Sequence, residues 1–65
     1  MSYVRIDVDF DAGVYTVQPT TDERSHTVKA PAIRNYDDEQ QHSFKAKLQA
    51  EYQEKYPGLT VVLYD

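Results

Sequence analysis

The chain has 65 residues, with 11 acidic and 7 basic side chains, a formal net charge of −4 and no cysteine. That length makes one small domain, residues 1–65, with a stability of only a few kcal/mol, and the missing thiols exclude disulfides and thiolate metal sites. A negative balance without clustered Lys and Arg argues against sequence-independent binding of DNA or of an anionic membrane, and DNA mimicry calls for longer acidic runs than these.

From Tyr3 to Asp11 the chain alternates without a fault. Val4, Ile6, Val8 and Phe10 are apolar, while Arg5, Asp7, Asp9 and Asp11 are charged. A period of two puts these sets on opposite faces of a half-buried strand, Tyr3–Phe10. Asp11-Ala12-Gly13 is expected to close a tight hairpin on Gly13, leading into a second strand, Val14–Gln18. Pro19–Arg24 reads as a polar loop with nothing apolar to anchor it, and is expected to be the most mobile element. A third strand, His26–Ala30, must stop or lie at a sheet edge because Pro31 lacks an amide donor.

A helix follows over Asp37–Tyr56. Asp37 is a good N-cap, Gln40 completes a capping box, and Asp38 and Glu39 suit the positive end of the helix dipole. Phe44, Leu48, Tyr52 and Tyr56 fall on one stripe, opposite Ala46, Ala50, Gln53 and Glu54. Pro57-Gly58 stops the helix before a last strand, Leu59–Tyr64. The element order is therefore β-β-β-α-β. This predicts an α+β fold: a four-stranded, mainly antiparallel sheet in the order 3-2-1-4, with the last strand parallel to the first. One helix covers one face. The expected core is Val4, Ile6, Val8, Tyr15, Val17, Val28, Ile33, Phe44, Leu48, Tyr52, Leu59, Val61 and Leu63. Tyr15, Tyr52 and Tyr56 are expected to pack their rings half inside with hydroxyls outward.

No catalytic or cofactor motif emerges. Asp7, Asp9 and Asp11 superficially match the start of a calcium loop, but Ala12 and Gln18 occupy the positions where such a loop needs glycine and a bidentate glutamate. His26 and His42 have no partners at zinc-site spacing and read as surface residues. Ser2, Ser25 and Ser43 lack a nucleophile context, and two glycines cannot build a phosphate loop. The expectation is a chain that is not an enzyme and carries neither metal nor cofactor. The longest apolar run, Val61-Val62-Leu63-Tyr64, is too short for a signal segment or a membrane span, so a soluble, cytoplasmic protein is expected.

Tyr3 and Tyr64 fall on the faces of their strands opposite the core set. If the first and last strands are neighbours, both rings share the uncovered face with Arg5 and Val62, and Tyr and Arg are the residues of binding hot spots. The candidate partner-binding residues are thus Tyr3, Arg5, Asp7, Asp9, Val62 and Tyr64, joined by Asp22, Glu23 and Arg24 of the loop. A protein partner is favoured. Single-stranded nucleic acid stacked on the exposed tyrosines is the alternative, with Asp7 and Asp9 on the same face repelling phosphates. A homodimer or structural subunit completed through a sheet edge is a third reading.

The size, the missing cysteine, the acidic balance and the order of Val14–Gln18, His26–Ala30, Asp37–Tyr56 and Leu59–Tyr64 resemble small early proteins that bacteriophages use to disable host enzymes. The layout is similar to that of the podophage inhibitor of bacterial RNA polymerase, from which strand Tyr3–Phe10 is a departure. The resemblance implies a non-enzymatic inhibitor of a host enzyme or nucleoprotein complex acting in the host cytoplasm, and it carries over no functional residues.

Overall fold

A computed structural model describes residues 2–20 and 24–65. Strands β1 (Tyr3–Asp9), β2 (Val14–Pro19), β3 (His26–Lys29) and β4 (Thr60–Tyr64) form one sheet in the order β3-β2-β1-β4. β1 and β2 are antiparallel, as are β2 and β3, whereas β1 and β4 are parallel. Among the described residues one α-helix, α1 (Asp38–Lys55), carries the chain across one face between β3 and β4. Fold class, strand order and the parallel pairing are those the sequence predicts.

The alternation of β1 sets the register. Val4, Ile6 and Val8 are buried and face Pro19, Val17 and Tyr15 of β2, with Val61 and Leu63 of β4 opposite Val4 and Ile6. Ile33, Leu48 and Tyr52 close the core from above. Each such fully buried aliphatic side chain contributes about 1.5–3 kcal/mol against an exposed reference. Tyr15, Phe44, Leu59 and Leu63 pack half-buried at its margin, joined by Phe10, Tyr36 and Tyr56. Phe44 is the hub of that margin: Phe10, Tyr15 and Tyr36 meet its ring edge-on at 6.0, 6.0 and 5.9 Å. Val28, expected in the core, is only half-buried, because it sits on the edge strand opposite Tyr15.

The local rules hold at α1. The Asp37 carboxylate accepts from the Gln40 amide at 2.8 Å and the Gln40 side chain accepts from the Asp37 amide at 3.0 Å, completing the capping box. At the other end Gln53 donates to the Leu59 carbonyl at 2.7 Å and so fixes the turn into β4.

Three expectations are corrected, and one element that the sequence did not predict appears. β1 ends at Asp9, not at Phe10, because the chain turns there: the Gly13 amide donates to the Asp9 carbonyl at 2.9 Å. Pro19 belongs to β2 and is buried, not part of the loop. It pairs with Val4, and its missing amide lies on the side where β3 has already stopped at Val17↔His26. Pro31–Asn35 forms a 3-10 helix that seats Ile33 in the core; proline at its first position supplies the fixed φ that starts it. Finally, Tyr52 is buried, at 6% exposed, and its ring is not packed only half inside. The part of the expected mobile loop at residues 21–23 lies outside the described residues.

Gly13 is the one residue in the left-handed region among those described, with φ of 70°. It is buried beneath the 3-10 helix, where a Cβ would stand 2.7 Å from Arg34 Cγ and 3.1 Å from Pro31 Cα. Gly13→Ala is therefore expected to cost about 1–3 kcal/mol. Urea unfolding should show a lower midpoint with an unchanged slope.

Burial, reinforced by the Tyr15 hydrogen bond, pushes the Tyr52 phenol well above its ordinary value near 10. The unfolded chain then loses this proton first. The stability it contributes is complete below about pH 10 and drains away as the pH rises further. Tyr52→Phe keeps the buried ring and is expected to change stability at neutral pH by no more than about 1 kcal/mol. It should also show a shallower decline than the parent above about pH 10, read by denaturant unfolding at stepped pH.

Candidate functional site

Because the even-numbered side chains of β1 point into the core, the odd-numbered ones must stand on the bare side of the sheet. The register then decides which neighbours they meet. Arg5 lies between Gln18 and Val62, Asp7 between Thr16 and Tyr64, and Tyr3 beside Thr60. Thr27 and Lys29 of β3 complete the face, with a hydroxyl–hydroxyl hydrogen bond of 3.1 Å between Thr16 and Thr27.

Arg5 organises the centre. Its Nε donates to both oxygens of Asp7 at 3.1 and 3.3 Å, and its guanidinium lies 4.7 Å above the centroid of the Tyr64 ring. Both members of the ion pair are about half exposed, so the pair itself contributes little to stability. What it does is orient: a guanidinium both bonded to a carboxylate through Nε and seated over a ring has few rotamers left. Tyr3 and Tyr64 are the exposed large apolar residues of the described chain, at 40% and 49%. They stand at opposite ends of the face, about 13 Å apart along the strand direction, with Arg5 and Val62 between them. The Tyr3 end is pinned by Thr20, whose Oγ1 accepts from the Tyr3 amide at 2.8 Å and whose amide donates to the Tyr3 carbonyl at 3.0 Å.

The structure thus brings Tyr3, Arg5, Asp7, Val62 and Tyr64 onto one surface. Asp9 stands on the same side, but its carboxylate also accepts from the Ala12 amide at 3.0 Å, which makes it a turn-holding residue. Asp22 and Glu23 lie outside the described residues. Arg24 is exposed just before β3, at the sheet edge farthest from Tyr64, and is not gathered with the others. His26 and His42 are exposed on β3 and α1. Among the described residues no group of three or more His, Asp or Glu converges as a metal-binding set, and no helix is long and apolar enough to cross a membrane.

Sequence reasoning passed over one feature. Beyond Tyr64 the face runs into a groove of about 600 Å³ whose walls include Asp9, Phe10, Asp11, Thr16, Gln41 and Tyr64. Its signal was present in the mismatch of strand lengths: β1 continues past the last β1–β4 pair, Asp7↔Tyr64.

A scan against protein-family models, a search of curated proteins and a search of solved structures return no match for this chain. The face must therefore be judged on its own chemistry. If Arg5 and Tyr64 hold each other as the geometry indicates, a double-mutant cycle on Arg5→Met and Tyr64→Leu should return a coupling of about 0.5–1 kcal/mol in unfolding free energy. Additive single-variant losses would contradict it.

Proposed function

We propose that this chain is a non-enzymatic protein-binding module that engages its partner through the bare face of its sheet. The supporting observation is the Arg5 guanidinium held between the Asp7 carboxylate and the Tyr64 ring, flanked by the exposed Tyr3 and by Val62. Tyr and Arg are enriched in binding hot spots, and a side chain already fixed before binding loses little entropy on docking. A strand platform adds rigidity, because these residues stand on the central strand β1 and on its parallel edge neighbour β4, both packed over the core. The sequence layout resembles that of small phage early proteins, and on that resemblance the proposed class of target is a host enzyme or nucleoprotein complex in the cytoplasm, with inhibition as the consequence.

Exposed rings on a sheet also suit stacked bases. Asp7 beside Tyr64 and the net charge of −4 work against a phosphate backbone at that place.

Affinity capture from bacterial lysate tests the reading. The parent chain is expected to retain one protein in stoichiometric amount. Tyr3→Ala/Tyr64→Ala should lose it, and the helix-surface variant Glu54→Ala should keep it. Recovery of nothing stoichiometric, or equal recovery by all three chains, would overturn the proposal. Labelled single-stranded oligonucleotides at low salt are expected to give no signal up to high micromolar chain.

A further inference from the structure

We infer that the groove at the Tyr64 end of the bare face seats an arginine- or lysine-bearing segment of the protein partner; this deepens the protein-binding reading and rests on it. The face already shows what it takes, because its own Arg5 lies against the Tyr64 ring and the Asp7 carboxylate, two groups that also wall the groove. On the groove side the same ring is joined by Asp9 and Asp11, with Phe10 and Thr16 lining the space between.

The charges around it set the sign of the occupant. Asp7 is matched by Arg5, and Asp65 by Lys45 at 2.9 Å. Lys29 stands on the same face but two strands away, opposite Val14, which is itself opposite Asp9. Arg34 shares a separate hollow with Asp11 and makes no ion pair with it, its stem lying against Gly13 instead. Asp9 and Asp11 therefore remain without a cationic partner among the described residues, beside an aromatic ring whose quadrupole favours a cation. The mode of entry is also constrained. Although β1 outruns β4 here, Val8 is only 5% exposed, so its backbone is closed to an added strand. The groove takes side chains, and a long aliphatic stem ending in a charge fits both its apolar lining and its acidic rim.

The test is a titration of a fluorescein-labelled hexa-arginine peptide into the full chain at low salt. The parent is expected to bind, and Asp9→Asn/Asp11→Asn to weaken binding about tenfold. Glu51→Gln/Glu54→Gln, which removes the same charge from the helix surface, should change it less than about twofold. Asn keeps the acceptor for the Ala12 amide, so the turn should survive. Amide-shift mapping of the unmutated chain gives a second readout, with the largest changes expected at Asp9–Asp11 and Tyr64. No binding by the parent, equal weakening in both doubles, or shifts centred elsewhere would overturn the inference. A lysate partner retained through Tyr3 and Tyr64 while the peptide ignores the groove would remove this inference and leave the protein-binding reading standing.

Discussion

Among the described residues β1 is the only strand paired on both sides with a fully alternating sequence, and its register is the constraint that shapes both surfaces of the sheet. Val4, Ile6 and Val8 go into the core; Arg5, Asp7 and Asp9 go to the other side. A slip of one residue would exchange the two sets, taking three charged groups out of water at a cost of several kcal/mol each. The parallel partner β4 inherits it: with Val61 opposite Val4, Tyr64 must fall opposite Asp7, beside Arg5. The face proposed to bind is therefore the necessary reverse of the core.

A single helix cannot cover four strands with aliphatic side chains alone, and the chain makes up the shortfall with rings. Phe44 projects from α1 into a set of three aromatic neighbours contributed by the β1–β2 turn, β2 and the segment before the helix. Such edge-on pairs add about 0.5–1.5 kcal/mol each beyond area burial, which matters in a domain with a total of a few kcal/mol. Lower on the helix Tyr52 stacks on Tyr56 at 6.4 Å. Phenols serve here because the margin of a thin core is neither dry nor wet, and an amphipathic ring suits such a boundary.

The elements that sequence made legible are those in which one physical rule acts alone. Alternation gave β1, the Asp37–Gln40 capping box gave the start of α1, and a stripe of every fourth residue gave its buried side. The errors lie where two rules competed. Pro19 reads as a loop residue by propensity, but the sheet tolerates it because β3 is short and makes no demand on its amide. Phe10 continues the apolar alternation, yet the Asp9–Gly13 turn ends the strand before it, and the ring reaches Phe44 from the turn instead. Of the face, Tyr3, Arg5, Val62 and Tyr64 followed from strand parity and the parallel β1–β4 pairing. The groove did not, because it depends on a difference in the lengths of two strands far apart in sequence.

Electrostatics then separates the two ends of the bare face. At its centre Arg5 and Asp7 cancel, so the ground between Tyr3 and Tyr64 presents rings, Val62 and hydroxyls with no net charge. Desolvating this ground costs less than covering the same two charges apart, since its one ion pair is already made. Toward the β1–β2 turn the balance tips negative, where Asp9 holds the turn with one oxygen while its charge stays unmatched. A partner that laid a neutral, mixed apolar surface over the centre and a cation at the end would meet complementary chemistry along the whole length. The centre would set affinity, and the charged end would set orientation and rate of approach. That division follows from the strand parity of β1, which places the paired charge in the middle of the sheet and the unpaired ones where the strand turns.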